Sequence, residues 1–259
     1  MSLPALQDWD ATRNALHQAA QVVGAVRKSR INALPNYAHL GLFVTHEGLS
    51  TGALTEEDHL LLDMQQQAVI YTCPAGSIHV VPIRDHTQVS LTDAVLQAMT
   101  DAGHPASIDR SKLTGTDLLS IRPDAASQYG NALYSLYSSL ARVRGRLMGS
   151  MSPLIVWPHG FDLSFLWFKR GFEERTDPHL NFGFSPGSTG LPRPYVYAYA
   201  YPLPATFFDI GLPEGARFNT DPWKGIVIDY DWLTGLDDHE HVLEDMLYLI
   251  YATLASQME

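Results

Sequence analysis

The chain has 259 residues, of which 46% are hydrophobic, so it can bury a full core without disulfides or metal ions. Its net charge of −11 argues against a nucleic-acid partner or an anionic membrane surface, because basic surfaces bind phosphate groups. Cys73 is the only cysteine, so no internal disulfide can form and a reducing cytoplasm is the expected location. The N-terminal residues do not have the composition of a signal peptide, and the apolar runs are too short to span a bilayer, so no membrane partner is expected.

The first half of the chain predicts a long helix, a group of strands and a second helix. The first helix covers about residues 5–27, because Leu16, Ala20 and Val23 repeat at helical spacing. The second helix begins at Ser90 and stops at Gly103. Between the helices, alternating patterns predict strands at 37–45, 59–64, 68–73 and 77–83.

The second half follows a similar order. A long helix begins at Asp124, and a last helix runs from Asp238 to the C-terminus. The strands predicted between these two helices lie at about 154–157, 162–168, 195–201 and 226–229. The segment 171–194 is rich in proline and glycine, and it is predicted to be a loop that could fold over the following strand.

These elements predict an α+β fold in which antiparallel sheets pack against long helices. A parallel sheet would need a crossover helix between successive strands, and the strands are too closely spaced for that. We expect a single domain over residues 1–259. The repeated order also raises the hypothesis of two similar halves, 1–120 and 121–259.

Four tyrosines alternate with small residues in the strand predicted at 195–201. Because successive side chains of a strand point to opposite faces, all four rings share one face; they are Tyr195, Tyr197, Tyr199 and Tyr201. Such a face can line a ligand cleft, or it can simply pack and cap the sheet, since aromatic residues favour strands. Tyr197 and Tyr199 are therefore candidate ligand-binding residues.

Asp162 is a candidate catalytic residue because it opens a strongly aromatic strand. An unpaired buried carboxylate is costly, so Asp162 must be paired or reach water, and a neighbouring histidine would make it an acid or a base. The alternative is that Asp162 closes the turn at 158–160 through backbone hydrogen bonds.

Two histidines complete the candidate site. His17 and Gln21 lie one turn apart on the first helix, with Gln21 a candidate for ligand binding and His17 for catalysis. His39, a further catalytic candidate, is expected on the strand at 37–45. Each can also be an ordinary boundary residue. Their spacing matches no regular metal-ligand motif, so no metal site is predicted, and no cofactor is indicated.

These segments resemble a bacterial family of unknown function, number 5996. The family's N-terminal pattern corresponds to Trp9, Thr12, Leu16, His17, Gln21 and Gly24. Further matches are His39, Leu42–Thr45, Gly48–Leu49, Ser152–Pro153, Phe161–Leu163 and Ala198–Pro202. The likeness covers at least residues 9–202. It supports one coherent domain and implies no activity.

The chain departs from the family pattern at two places. The family's strand-entry histidine and its two tryptophans are Asn36, Tyr37 and Ala38 here. The family's Arg-Phe-Ser-Gly run is replaced by residues 167–170. The first departure argues against a two-histidine metal site built on that motif.

Two functions remain open. The first is that the chain binds or converts a small organic ligand in an aromatic-lined cleft between the tyrosine strand and the first helix. Ligand clefts of this kind carry a few convergent polar groups. Alternatively, it is a non-enzymatic interaction protein that forms a homodimer through its tyrosine face. The sequence does not decide whether the protein is an enzyme.

Overall fold

The computed structural model describes residues 2–54 and 57–258. The chain divides into two compact units, and each is interrupted in sequence. The first, which we call the histidine unit, comprises residues 6–134 and 156–161. The second, the tyrosine unit, comprises residues 1–5, 135–155 and 162–259. The prediction of a single domain with two similar halves remains a prediction.

The histidine unit begins with helix α1, Asp10–Arg30, which confirms the predicted first helix. Its start lies later than predicted. Apolar side chains at helical spacing, including Leu16, Val23 and Val26, are buried, and α1 packs against strand β3 (His59–Asp63). Burial of this apolar stripe is the main force that holds a helix in a protein.

The strand predicted at 37–45 is wrong over most of its length. Pro35–Leu40 form a 3₁₀ helix, and the strand β1 is limited to Phe43–Val44. Asn36 and Tyr37 have φ angles of 50° and 56°, which no strand residue adopts. His39 therefore lies on the 3₁₀ helix instead of a strand.

Five consecutive strands of the described histidine unit form an antiparallel meander in chain order. They are β1, β2 (Gly48–Ser50), β3, β4 (Ala68–Thr72) and β5 (Ile78–Pro82). The last three confirm the predicted strands. Helix α2, Gln88–Asp101, begins earlier than predicted, because Thr87 is the N-cap and Ser90 closes the capping box as the third helical residue.

Helix α3, Pro123–Arg146, and strand β7, Ile155–Trp157, each contain a boundary between the units. The sheet of the tyrosine unit has the antiparallel order β11-β12-β10-β9-β8-β6. Its strands are β6 (Ser150–Met151), β8 (Asp162–Phe168), β9 (His179–Ser185), β10 (Tyr195–Tyr201), β11 (Ala216–Asn219) and β12 (Gly225–Asp229). Strands β8 and β10 match their predicted bounds. The unit also contains α4 (Tyr230–Leu233) and α5 (His239–Gln257), and α5 packs against β9 and β10.

The prediction that 171–194 is a loop is wrong at its centre. Strand β9 lies there, all seven of its residues are buried, and it pairs with β8 on one side and β10 on the other. Leu180, Phe182 and Phe184 alternate with polar or small residues, so the strand pattern was present but short and flanked by prolines. The α+β fold class with antiparallel sheets is confirmed. Within the described residues, every helix is too short or too polar to cross a membrane.

Candidate functional site

In the sheet of the tyrosine unit, most of the polar side chains lie on one of the two faces. The register places Ser164 opposite Gly183 and Gly183 opposite Tyr197, so alternate residues of β8, β9 and β10 share this face. We call it the tyrosine face. Its members on these three strands are Asp162, Ser164, Leu166, Phe168, His179, Asn181, Gly183, Ser185, Tyr195, Tyr197, Tyr199 and Tyr201.

Asp162 and Tyr197 form a hydrogen bond across the middle strand. The Tyr197 hydroxyl donates to Asp162 Oδ2 at 2.7 Å, although β9 lies between their two strands. Gly183 lies beneath this bond, and a Cβ there would come within 2.5 Å of the Tyr197 hydroxyl oxygen and the Leu163 carbonyl oxygen. A glycine at 183 therefore lets the Tyr197 ring cross β9.

The buried setting of Tyr197 keeps its phenol neutral. The side chain is 8% exposed, and burial raises its pKa well above the ordinary value. The negative charge of Asp162 and the hydrogen bond to it raise this pKa further, while a hydrogen bond from Ser164 opposes the rise. Tyr197 is thus a neutral hydrogen-bond donor to the Asp162 carboxylate.

Asn181 and Tyr199 form a second pair on the same face. Asn181 Nδ2 donates to the Tyr199 hydroxyl at 2.8 Å. Burial raises the pKa of Tyr199, and this hydrogen bond opposes the rise; the charges of Glu174 and Asp162 add to it. Asn181 is 7% exposed, and its Oδ1 has no hydrogen-bond partner among the described residues.

His179 lies at the end of the tyrosine face where the rings reach solvent. Its Nδ1 lies 2.9 Å from the Asp177 carbonyl oxygen, which can only accept, so Nδ1 carries a hydrogen and, in the neutral ring, Nε2 carries the lone pair. The ring stacks on Tyr201 at 5.4 Å, and Tyr201 is 45% exposed. The Asp177 carboxylate accepts from the backbone amides of Phe172 and Glu173, which fixes the loop that carries the carbonyl.

Trp223 forms an aromatic wall over the tyrosine face. Its ring centroid lies 6.2, 6.0 and 6.4 Å from those of Tyr195, Tyr197 and Tyr199. Asn219 Nδ2 donates to the Trp223 carbonyl at 2.6 Å and so fixes the turn that carries the ring. Trp223 and Tyr199 both keep part of their surface exposed.

His17 and Gln21 belong to a separate hydrogen-bond network in the histidine unit. His17 Nε2 lies 3.0 Å from the Pro158 carbonyl oxygen and 3.2 Å from that of His159. Both oxygens are acceptors, so Nε2 carries the hydrogen. The imidazole stacks on Phe161 at 5.2 Å, and its pKa is lowered, mainly by burial.

Gln88 orients the Gln21 amide. The backbone amide of Gly115 donates to Gln88 Oε1 at 3.1 Å, and Gln88 Nε2 donates to Gln21 Oε1 at 2.7 Å. Gln21 Nε2 consequently lies 3.2 Å from His17 Nε2, and because both nitrogens carry hydrogens, this contact is not a hydrogen bond. The polar stripe of α1 is thus anchored at both ends by backbone groups.

The structure brings together some of the predicted site residues. Asp162, Tyr197 and Tyr199 share the tyrosine face, whereas His17 and Gln21 share the network on α1. His39 Nδ1 accepts a hydrogen bond from the Leu34 backbone amide at 3.2 Å, which ties it to its own 3₁₀ helix.

Sequence reasoning missed four residues of the tyrosine unit. His179, Asn181 and Gly183 lay in the segment predicted as a loop, and Trp223 lay outside every predicted strand. The alternation in β9 was the one available signal for the first three. Within residues 2–54 and 57–258, no group of three or more His, Cys, Asp or Glu side chains could hold a metal ion.

The protein is an α+β protein with antiparallel sheets, and one sheet face pairs tyrosines with polar side chains. Neither feature by itself assigns an activity. The chain belongs to the family of unknown function DUF5996, whose model matches residues 2–259. The resemblance noted in the sequence is thereby confirmed over essentially the whole chain. No curated protein and no solved structure is significantly similar to it.

Proposed function

We propose that the protein binds a small organic ligand on the tyrosine face. The observation that carries this proposal is the partly exposed aromatic pair Tyr199 and Trp223, next to the buried polar groups of His179 and Asn181. Ligand sites combine apolar and aromatic walls with a few precisely oriented polar groups, and this end of the face has both.

The polar groups of the face are fixed in orientation before any ligand arrives. Asp162 is held by Tyr197, His179 by the Asp177 carbonyl, and Tyr199 by Asn181. Such groups lose little conformational entropy on binding, which favours affinity for a small molecule. Asp162 and Tyr197 act on the ligand by positioning and by charge, whereas Tyr199 contacts it directly.

The experiment is a thermal-shift screen of the full chain against a metabolite mixture, because a ligand that binds the native state raises the melting temperature. Each compound that shifts the wild type is tested again on Trp223→Leu. Phe208→Leu is the matched control, since Phe208 is an exposed aromatic of the same unit and is not a member of the tyrosine face. We expect the shift to vanish in Trp223→Leu and to persist in Phe208→Leu. Equal shifts in the two variants would exclude the tyrosine face.

Self-association through the tyrosine strand remains the alternative prediction. Tyr195 and Tyr197 are largely buried, so a partner subunit would have to contact Tyr199 and Tyr201. Light scattering on the wild type and on Tyr201→Ser tests this alternative. A dimer that dissociates in the variant would support it.

For location we propose a bacterial cytoplasm. Cys73 is a buried free thiol, which suits a reducing compartment. Fractionation of a cell that produces the protein tests this proposal, and recovery from a membrane or secreted fraction would contradict it.

A further inference from the structure

The Asn181 amide has one satisfied end and one unsatisfied end. Its nitrogen donates to the Tyr199 hydroxyl at 2.8 Å, while its buried oxygen has no hydrogen-bond partner in the described part of the chain. A buried acceptor without a partner costs free energy, so native proteins retain few of them. Because Asn181 lies beside the partly exposed Tyr199, the geometry points to a hydrogen-bond donor that a bound ligand supplies.

The same hydrogen bond leaves a donor beside this acceptor. Because the Tyr199 oxygen accepts from Asn181, the phenolic hydrogen points elsewhere, and its pKa is raised by burial, so it stays bound. The subsite therefore presents one O–H donor and one C=O acceptor on neighbouring groups. The complementary chemical group carries an N–H and a C=O side by side.

We propose that Asn181 and Tyr199 recognise the amide edge of a planar ligand, either a primary carboxamide or a ring lactam. The ligand N–H donates to Asn181 Oδ1, and the ligand carbonyl accepts from the Tyr199 hydroxyl. The ring lies against the Tyr199 and Trp223 rings, whose planes are inclined at 63°. This inference rests on the proposed function and names the ligand class of the same site.

His179 adds a second acceptor near this subsite. Its ring centroid lies 6.4 Å from that of Tyr199, and the bond of Nδ1 to the Asp177 carbonyl leaves the lone pair of the neutral ring on Nε2. A primary carboxamide has two N–H groups, so it can donate to His179 as well as to Asn181. We therefore expect a primary carboxamide to bind more tightly than a lactam.

The subsite disfavours a carboxylate in place of the amide. A carboxylate has no N–H for Asn181 Oδ1 and would leave that oxygen unpaired. It would also approach Asp162, whose charge acts on the Tyr199 hydroxyl. Rejection of a ligand that lacks a required hydrogen-bonding group is the strongest form of specificity available to a small site.

The experiment compares three probes of one ring type on the full chain by isothermal titration. The probes are nicotinamide, nicotinate and N,N-dimethylnicotinamide, which differ in charge and in N–H groups. We expect nicotinamide to bind at least about tenfold more tightly than the other two. Tyr199→Phe should weaken nicotinamide binding about tenfold, because it removes the donor and keeps the ring. Tyr248→Phe, the same change at an exposed tyrosine of α5 that is not a member of the tyrosine face, should leave the affinity unchanged.

Each contrary result has a defined meaning. Equal affinities for the three probes, or full nicotinamide affinity in Tyr199→Phe, would overturn amide recognition. The proposed function would survive that result if Trp223→Leu still abolished binding. Affinity for all three probes that is unaffected by Trp223→Leu would overturn both proposals. Failure of the wild type to bind any probe would overturn amide recognition alone, since the metabolite screen tests the site independently.

Discussion

The hydroxyl of Tyr197 donates to Asp162 Oδ2 at 2.7 Å, and the two residues lie on strands that are not neighbours in the sheet. The intervening strand carries Gly183 at the crossing point. The bond therefore couples three strands through side chains as well as through the backbone ladder. It also holds the Tyr197 ring in place beside Tyr199, with ring centroids 6.3 Å apart.

The first prediction concerns the energy of this bond. Tyr197→Phe should cost about 1.5–3 kcal/mol of unfolding free energy, because it removes a hydrogen bond to a charged group. Asp162→Asn keeps an acceptor oxygen and should cost less, about 1 kcal/mol. Chemical denaturation of both single variants and the double variant should give a coupling energy of about 0.5–3 kcal/mol.

Tyr201→Phe serves as the control, since Tyr201 is exposed and should change stability by no more than about 0.5 kcal/mol. Additive effects of Asp162→Asn and Tyr197→Phe would show that the charge of the carboxylate contributes nothing to the bond in solution. A compound found by the screen should bind Asp162→Asn more weakly, because the carboxylate charge and the fixed ring are both part of the face.

A second prediction follows from the glycine under the bond. Gly183→Ala should destabilise the protein by about 1–3 kcal/mol, since the added Cβ overlaps the Tyr197 ring and the Leu163 carbonyl. Gly211→Ala adds the same atom where no atom of the described residues lies within 4 Å, and it should be neutral or slightly stabilising. Thermal melts of the two variants compare them directly. Equal melting temperatures would mean that Tyr197 does not cross β9 as described.

The third prediction is a pH dependence caused by His17. Burial lowers its pKa below the ordinary value of 6.5, so the unfolded chain takes up the proton more readily than the folded chain. The stability that His17 contributes is therefore present above about pH 6.5 and is lost as the pH falls through the lowered pKa. Denaturant melts between about pH 7.5 and about pH 5 should show a smaller loss in His17→Gln than in the wild type.

The exposed His46 supplies the control for this titration. His46→Gln makes the same substitution, and it should keep the full loss of the wild type. His239 also has a pKa lowered by burial, so some loss should persist in His17→Gln. An unchanged pH profile in His17→Gln would show that this imidazole is not buried in solution.

The fourth prediction uses two helical glycines with opposite expected signs. A Cβ at Gly24 on α1 would lie 2.5 Å from Pro158 Cγ, so Gly24→Ala should destabilise the protein by about 1–3 kcal/mol. It should also displace the Pro158 carbonyl that holds His17. A Cβ at Gly145 on α3 would meet nothing within 4 Å in the described part of the chain, and Gly145→Ala should stabilise the protein by up to about 1 kcal/mol. The sign of the shift in denaturation midpoint decides the prediction, and stabilisation by both changes would contradict it.

The sequence predicted the tyrosine strand because strict alternation and bounding prolines are local signals. It placed Asp162 on the correct strand but not beside Tyr197. That contact depends on β9, which lies in the proline- and glycine-rich segment that was predicted to be a loop. Asn181 finds its hydrogen bond on a strand 18 residues away, and no local pattern encodes this pairing.

Local sequence patterns also failed to predict the long-range partner of His17 and the backbone conformation around His39. The polar stripe with His17 and Gln21 was visible from helical spacing. Its backbone partner Pro158 lies 141 residues further along the chain and could not be foreseen. His39 was assigned to a strand because its neighbours alternate, but the positive φ angles of Asn36 and Tyr37 interrupt the extended backbone. Such angles are uncommon for residues other than glycine, so the pattern gave no warning.

The histidine unit includes residues 156–161, which follow a stretch that belongs to the tyrosine unit. Val156 exchanges two backbone hydrogen bonds of 2.8 Å with Leu42, and the Pro158 carbonyl holds His17. During synthesis, therefore, the histidine unit cannot complete its contacts until residue 161 has left the ribosome. A fragment cut after Tyr134 would carry α1 and its meander but would leave the Leu42 backbone groups and the His17 ring without these partners. Any truncation for expression should consequently retain the chain through Phe161, or graft residues 156–161 back onto the shorter fragment.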